Sequence, residues 1–244
     1  MLDPATIKDP GLVGPILDDL AAYTGIPRAR CRELSTRSPN QPHRSWVAWD
    51  PTSRPELAWY YRTTAAYVFA LCDPRWCHPL DLLAGLDAEG NPPVALDVGA
   101  GIGTDALYLA QRGCLVFYSD PNHWNREFAR CRYQRHRDDI PGVVNFDTDP
   151  PEVDVLIAVD VLEHIPDYPR VLREQWLPRV KRSGHFLYSA PFCRAPGLPD
   201  NVGLHVNQTE PIPDILAEAG FRCVKRIAGT PDPTGDAHWH WIRN

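Results

Sequence analysis

The stretch VALDVGAGIGTDALYLAQRG, from Val94 to Gly113, decides the fold class of this chain. Its first five residues form a short apolar run typical of a buried strand, and TDALYLAQ has the apolar spacing of a helix. Between them lie Gly99, Gly101 and Gly103. Because glycine weakens ordinary elements, this density indicates a turn that a ligand approaches closely. The sequence leaves open whether that ligand carries a phosphate.

The alternation of strand and helix patterns continues along the chain. Further short apolar runs begin at residues 115, 143, 154, 185, 222 and 238. Helical patterns separate most of them, and one helix is predicted over residues 168–184. This order predicts a doubly wound α/β fold with a mostly parallel, seven-stranded, Rossmann-like sheet covered on both faces. The last two runs follow each other without a helix, which predicts an antiparallel strand at the C-terminal end.

The N-terminal third of the chain has a different pattern. Residues 1–90 contain no convincing strand, so we expect a helical N-terminal cap there and the α/β domain over residues 91–244. Helical apolar spacing predicts one helix that ends at Gly25, one over residues 53–72 and one over residues 78–90.

The spacing of the glycines bears on the kind of ligand. Ligands of an open parallel sheet bind outside the carboxyl ends of its strands, where these glycines lie. Thr104 stands where the dinucleotide fingerprint G-x-G-x-x-G has its third glycine, and the absence of any Gly-Lys pair excludes a P-loop. A ligand with an amino-acid tail would instead lie along the bare loop, with Asp97 facing its ammonium group. A tight turn without a ligand is the alternative.

Carboxylates follow the next two predicted strands. Asp120 ends the second strand and suits two ribose hydroxyls as an acceptor. Its alternative role is the N-cap of the following helix. Asp147 ends the third strand and could accept a hydrogen bond from an adenine amine, with Asp149 as a rival for that position.

Three blocks of sequence, in this order, resemble the class I S-adenosylmethionine-dependent methyltransferases. They are LDVGAGIGTDALYLAQRG with VFYSD, DVLIAVDVLEHIPDYPRVLREQ, and RSGHFLYSAP. The nearest similarity is to the small-molecule branch with a V-L-E-H turn after the fourth strand, and it covers residues 92–244. The resemblance implies S-adenosylmethionine (SAM) as cofactor, S-adenosylhomocysteine (SAH) as product and a small-molecule acceptor, as in specialised metabolism.

The resemblance also implies roles for individual residues. Gly99, Gly101 and Gly103 would line the methionine moiety, with Asp97 near its amino group. Asp120 would hold the ribose hydroxyls. Two further carboxylates complete the expected cofactor site, Asp147 at the adenine and Asp160 where the fourth strand meets both cofactor and acceptor.

Methyl transfer from a sulfonium is an in-line displacement that needs no metal, but a hydroxyl acceptor would benefit from a general base. His164 in the V-L-E-H turn and His205 after the fifth predicted strand are the candidates. His164 could instead order its own loop. His238 and His240 alternate onto one strand face but lack a third ligand at suitable spacing, so no metal site is predicted.

Aromatic residues in the cap are candidates for the acceptor pocket. Trp59, Tyr60 and Tyr61 are consecutive on a predicted helix, so they cannot all face one ligand. One or two of them would form an aromatic wall suited to a flat or apolar acceptor. The alternative is that all three pack between the helices and the sheet.

Composition limits the other classes of function. A formal net charge of −6 argues against a nucleic-acid-binding surface, and the basic run from Arg130 to Arg137 is expected to be a solvated helix face. The sequence has no membrane-length apolar run, no secretion signal at its start and no C-x-x-C pair, so a cytoplasmic protein with reduced thiols is expected. A nicotinamide-dependent oxidoreductase and a non-catalytic binding module are the alternatives. The sequence does not fix the oligomeric state.

Overall fold

The protein is described by a computed structural model that covers residues 16–37, 57–72, 93–190, 209–227 and 238–244. The strands in these ranges are β1 (Val94–Val98), β2 (Leu115–Ser119), β3 (Val143–Asn145), β4 (Val153–Val159), β5 (Val180–Ser189), β6 (Phe221–Ile227) and β7 (His238–Arg243). They form one sheet in the order β3-β2-β1-β4-β5-β7-β6. β1 to β5 pair in parallel, and β7 is antiparallel to both β5 and β6. The predicted mostly parallel sheet with an antiparallel C-terminal strand is confirmed.

The helices of the described residues lie on both sides of the sheet and at its N-terminal cap. They are α1 (Ile16–Thr24), α2 (Arg28–Arg37), α3 (Leu57–Thr63), α4 (Ala66–Leu71), α5 (Thr104–Gln111), α6 (His123–His136), α7 (Tyr168–Val171) and α8 (Ile212–Glu218). The chain after α7 continues through a π turn and a 3₁₀ turn to residue 179. None of these helices is long and apolar enough to cross a membrane.

Alternate residues of each central strand pack into different cores. Leu156 of β4 lies in the core that α7 and α8 cover, and Val155 lies in the core that α5 and α6 cover. This period of two is what a sheet covered on both faces requires. A third core joins α1, α2 and α4 to Ile102 of the glycine loop and Phe128 of α6. The cap therefore packs directly against the turn that follows β1.

Two of the predicted helices are wrong in extent. The helix predicted over residues 168–184 stops at residue 179, because Val180 already pairs with Val153 as the first residue of β5. The helix predicted over residues 53–72 is split into α3 and α4 in its described part. The helix predicted over residues 78–90 lies outside the described residues.

Other features of the cap agree with expectation or extend it. α1 ends before Gly25, whose φ of +70° suits the predicted stop. α2 was not predicted, because its sequence RARCRELSTR is strongly polar and shows no clear apolar stripe.

The described cysteines are free thiols, as expected; they are Cys31, Cys72, Cys114, Cys131 and Cys223.

Candidate active site

The glycine loop after β1 is packed tightly by protein atoms. Gly99 has a φ of +64°, and a Cβ there would lie 2.4 Å from Cγ2 of Val161. Gly101 has a φ of +53°, and its Cβ would lie 2.9 Å from Cδ1 of Leu71 in α4. Gly103 is the N-cap of α5. A side chain would be strained at both Gly99 and Gly101, because their φ angles are positive and because it would crowd a neighbouring side chain.

Hydrogen bonds fix this loop against the end of β2. The carbonyl of Ser119 accepts from the amides of Gly99, at 2.7 Å, and Ala100, at 3.2 Å. The Gly101 amide donates to Oδ2 of Asp120 at 2.8 Å, and the Tyr118 hydroxyl donates to the Gly101 carbonyl at 2.6 Å. The loop therefore presents a fixed backbone at the carboxyl edge of the sheet.

Asp120 lies at the centre of this edge. Its second oxygen, Oδ1, accepts from the amide of Asn122 at 2.7 Å. Burial raises the pKa of the Asp120 carboxyl to about 6, although two backbone N–H groups favour the charged form. The side chain of Asn125 also hydrogen-bonds this carboxylate. A carboxylate has about four lone-pair sites, so accepting capacity remains for a donor such as a ribose hydroxyl. The alternative role of Asp120 as N-cap is wrong, since Asn122 caps α6.

Asp97 at the end of β1 is a buried carboxylate with spare accepting capacity. Within the described residues, no donor reaches its Oδ2. Burial raises the pKa of Asp97, and the nearby carboxylates Asp105 and Asp120 raise it further. An ammonium group beside Asp97 would offset both the cost of burying the charge and the repulsion between the carboxylates. A ligand with an amino-acid tail carries such an ammonium group.

The two rival adenine contacts line one cleft. This cleft of about 380 Å³ lies between the ends of β2 and β3. Asp147 and Asp149 both line it, together with Arg126. Asp147 is exposed and accepts from Arg130 at 2.9 Å, whereas Asp149 lies 3.5 Å from Arg179. The choice between the two carboxylates stays open.

Asp160 follows β4 in a left-handed conformation with a φ of +53°. Its amide donates to the carbonyl of Ser189 at 3.0 Å, and its carboxylate accepts from the Ser189 hydroxyl. These contacts tie the ends of β4 and β5 together. The expected contact of Asp160 with the cofactor stays a prediction.

His164 meets one of the predicted aromatic residues. The Tyr61 hydroxyl lies 2.5 Å from Nδ1 of His164, and Oε1 of the buried Glu163 lies 3.7 Å from its Nε2. Burial, Tyr67 and Glu163 raise the pKa of the Tyr61 phenol, so that it stays protonated and can donate. The other base candidate, His205, lies outside the described residues.

The three consecutive aromatic residues of α3 point in different directions, as helical geometry predicts. Trp59 is 46% exposed, and Tyr60 is buried. Tyr61 contacts His164 and also Tyr67 of α4, with ring centroids 4.6 and 5.4 Å apart. Tyr61 is thus the member of this group placed beside the candidate base, and a role in acceptor binding stays a prediction for all three.

Asn122 joins the cap to the sheet edge. Its Nδ2 donates to the carbonyls of Tyr61, at 2.7 Å, and Thr64, at 2.9 Å. A series of contacts, in which each residue touches the next, leads from Gly101 back to the same loop, and we call these residues the site ring. In order they are Gly101, Asp120, Asn122, Tyr61, His164, Val161 and Gly99. The site ring brings the glycine loop, the β2 carboxylate and the V-L-E-H turn together at the carboxyl edge of the sheet.

Sequence reasoning missed several residues of this site. Asn122, Tyr67 and Glu163 were not singled out, although Glu163 stands within the V-L-E-H turn itself. The basic run from Arg130 was interpreted as a solvated face, which is wrong for Arg132 because that side chain is 1% exposed. Only the helical phase of α6 could have placed Arg132 toward the core.

The histidine pair considered for a metal has a different partner. Nε2 of His240 lies 2.7 Å from Nδ1 of His185 on the adjacent strand, and the side chain of His238 is not described. Burial lowers the pKa of both His185 and His240, that of His240 to about 4. These imidazoles are neutral near pH 7. In the described part of the chain, no group of three His, Cys, Asp or Glu side chains is arranged to hold a metal ion.

Comparison with known proteins identifies the fold family. A family model described as a methyltransferase domain matches residues 68–225. No curated protein sequence matches the chain significantly. A similar structure is that of magnesium protoporphyrin IX methyltransferase (ChlM) from Synechocystis PCC 6803 with bound SAM. It is 20% identical with a TM-score of 0.53, and the match covers 68% of this chain and 76% of that one. The same enzyme with bound SAH gives 22% identity and a TM-score of 0.54, over 67% of this chain and 81% of that one.

Two further structures share the fold. The N-methyltransferase NodS from Bradyrhizobium japonicum WM9 is 17% identical with a TM-score of 0.50, covering 67% of this chain and 93% of that one. The [4+2]-cyclase SpnF is 16% identical with a TM-score of 0.50, covering 67% of this chain and 78% of that one. At these identities the likeness concerns the fold.

Proposed function

Because the chain belongs to the class I SAM-dependent methyltransferases, we propose that it transfers a methyl group in line to an oxygen, nitrogen or carbon atom of a small-molecule acceptor. The acceptor would bind against the site ring, beside Tyr61 and His164. The observation that supports this proposal is the contact of Tyr61 with His164, because it brings the candidate base of the V-L-E-H turn against the cap.

The residues on the sheet side of the site ring suit SAM. Asp97 would accept from the amino group, and Asp120 would use its remaining lone pairs for the ribose hydroxyls. Asp147 or Asp149 would contact the adenine from the cleft between β2 and β3. When bound, SAM supplies a methyl group on a positively charged sulfur, which makes the sulfur a good leaving group.

The protein would accelerate the reaction chiefly by alignment. Holding the acceptor in line with the methyl group can lower the barrier by roughly 7–11 kcal/mol. The cap excludes water on one side, since Leu71 packs over Gly101 and Tyr60 is buried behind Tyr61.

Tyr61 and His164 would remove the proton of a hydroxyl or amine acceptor. The Tyr61 hydroxyl takes this proton while passing its own to Nδ1 of His164. The imidazolium that forms is stabilised by the Glu163 carboxylate, 3.7 Å from Nε2. Such general-base assistance typically contributes about 10²–10⁴-fold to the rate.

The proposed reaction can be tested by incubating the protein with methyl-labelled SAM and panels of phenols, hydroxy acids, amines and activated carbon acids. Transfer of label to a low-molecular-weight acceptor is expected, and it should fall in the variant Tyr61→Phe without loss of SAH binding. Calorimetry with SAH and with NAD should give binding for SAH alone. Label transfer only to protein or nucleic acid, or tight binding of NAD, would contradict the proposal.

We also expect the enzyme to act in the cytoplasm. The free cysteines are ordinary in a reducing compartment, and burial raises the pKa of Cys72 to about 12, which makes that thiol unreactive.

A further inference from the structure

Arg132 of α6 connects the glycine loop to the N-terminal helix. Its Nη1 donates to the carbonyl of Ile102, at 2.8 Å, and to the hydroxyl of Thr104, at 3.2 Å. Its Nε lies 3.4 Å from Oδ2 of Asp19 in α1. The guanidinium is 1% exposed, so these contacts are made without competition from water.

Asp19 is fully buried and is held by three basic groups of α6. Its other oxygen, Oδ1, accepts from Nε of Arg135, at 3.0 Å, and lies 2.8 Å from Nε2 of His136. A buried charge is stable only when it is paired and hydrogen-bonded. Methyl transfer itself has no use for this cluster, since none of its members belongs to the site ring.

The cap also packs against the same segment of the loop through apolar contacts. The Ile102 side chain lies in the core that contains Leu17 and Leu20 of α1 and Val68 of α4. Arg132 therefore holds the carbonyl of a residue whose side chain is buried under the cap. If α1 moves away, Ile102 loses its packing and Arg132 loses its anionic partner at once.

We propose that Asp19 and Arg132 are positioning residues which couple the docking of α1 to the conformation of the glycine loop. Cofactor affinity then depends on the N-terminal helix, although that helix lies outside the α/β domain. The cap would serve cofactor binding as well as acceptor binding. This inference rests on binding of SAM or SAH at the glycine loop and not on the identity of the acceptor.

The first test compares two identical substitutions on adjacent residues. Asp19→Asn removes the buried anion. Asp18→Asn is the matched control, because the Asp18 side chain is 41% exposed and pairs only with Arg28 among the described groups. We expect Asp19→Asn to weaken SAH binding in calorimetry by roughly tenfold, within the usual range of coupling between sites, and Asp18→Asn to leave the dissociation constant unchanged. A folded Asp19→Asn protein with a lower melting temperature and unchanged SAH affinity would overturn the coupling.

The second test does not depend on the folding of Asp19→Asn. Coupling of free energies is reciprocal. Bound SAH must therefore stabilise the docked position of α1 by the same free energy by which docked α1 strengthens SAH binding. Hydrogen exchange of the wild-type protein should slow over residues 16–24 when SAH is added. The isosteric variant Thr104→Val, which removes one acceptor of Arg132, should reduce that slowing. Equal exchange with and without SAH would overturn the coupling alone, whereas failure of the wild type to bind SAH would overturn the cofactor site as well.

Discussion

At the scale of single residues, the site is dominated by buried carboxylates. Asp97, Asp105 and Asp120 lie within one buried region, and burial and mutual repulsion raise the pKa of Asp97. The anionic forms of Asp97 and Asp120 are costly in the free protein. A cationic ligand with several hydrogen-bond donors would offset that cost, so we expect part of the cofactor affinity to come from relief of electrostatic strain that already exists in the protein.

This arrangement predicts a pH-dependent effect of SAH on stability. The pKa of Asp120 is about 6 in the folded protein, against 3.8 as its ordinary value. Protonated Asp120 therefore contributes on the order of 3 kcal/mol to the free energy of unfolding. This contribution is complete below about pH 4 and is lost as the pH rises through 6. Ribose hydroxyls favour the ionised form and offset that loss. The rise in melting temperature caused by SAH should grow between about pH 5 and pH 7, as differential scanning calorimetry can measure.

The variant Asp120→Asn is the control for this titration. It cannot ionise, so the growth of the SAH effect with pH should become smaller. An SAH effect that is flat or shrinks with rising pH in the wild type would contradict the prediction.

Asp120→Asn should also weaken SAH binding at neutral pH. The amide keeps the shape of the side chain but replaces one charged acceptor by a donor, which costs about 1.5–3 kcal/mol for hydrogen bonds to a charged group. Calorimetry measures the change, and Asp138→Asn, in the exposed 3₁₀ turn after α6, serves as a matched control. An unchanged affinity would remove Asp120 from the cofactor site.

Residues at strand ends were predictable, and residues paired across the chain were not. The sequence pointed to Asp97 and Asp120 because each directly follows or ends an apolar run. Asn122 and Arg132 act through the cap, whose α3 and α1 lie far away in sequence. A single sequence contains no local signal for such partners, so nothing in it marked Asn122 or Arg132 as a residue that contacts the cap.

At the scale of elements, two features of the glycine loop disfavour a side chain: a positive φ and a close neighbouring side chain. A pair of variants can separate their energetic costs. Gly99 has both a positive φ and a close neighbour, Val161, whereas Gly113 has a φ of +86° and no close heavy atom among the described residues. Gly113→Ala should cost only backbone strain, about 1–2 kcal/mol. Gly99→Ala should cost a further 1–3 kcal/mol or so from overpacking and should also weaken SAH binding. Urea denaturation and calorimetry measure the two effects.

The contact with Val161 can be tested on its own. Adding Val161→Ala to Gly99→Ala removes the methyl groups that the new Cβ would meet. The double variant should recover most of the overpacking cost but none of the backbone strain. Because Val161 also packs against the core, Val161→Ala alone is the reference. An equal cost of Gly99→Ala with and without Val161→Ala would show that the contact with Val161 contributes nothing.

Local patterns predicted the type of most elements and failed where tertiary contacts set the boundaries. The helix predicted up to residue 184 ends earlier because Val180 is drawn into the sheet beside Val153. The break between α3 and α4 coincides with the carbonyls of Tyr61 and Thr64, which donors from Asn122 occupy. In both places a long-range hydrogen bond competes successfully with helical propensity.

At the scale of the whole molecule, Asn122 has two separable tasks. Its Oδ1 caps α6 by accepting from the Asn125 amide, and its Nδ2 holds the cap. Asn122→Asp keeps the first task and turns the second into repulsion, because a carboxylate oxygen would face two carbonyls. We expect a loss of about 1–3 kcal/mol and faster hydrogen exchange over residues 57–72, with α6 unaffected.

The matched control is Asn145→Asp. Among the described residues, the Asn145 side chain makes its hydrogen bonds through Oδ1, which accepts from the amides of Asp147 and Thr148, so the aspartate preserves both bonds. Exchange over residues 57–72 should match the wild type in this control. Equal acceleration in the two variants would mean that Asn122 does not hold the cap specifically.

The placement of β7 has a consequence for how this chain is made in the cell. β7 lies between β5 and β6, so among the described strands β6 has no hydrogen-bonded neighbour until residues 238–243 have been synthesised. While they remain inside the ribosome, the nascent chain exposes the edges of both β5 and β6, which is a state prone to aggregation. Pairing of β5 and β6 through β7 therefore has to wait until β7 has been synthesised and has left the ribosome. A translational pause upstream of β7 would prolong the exposure of both strand edges and leave the nascent protein dependent on chaperones.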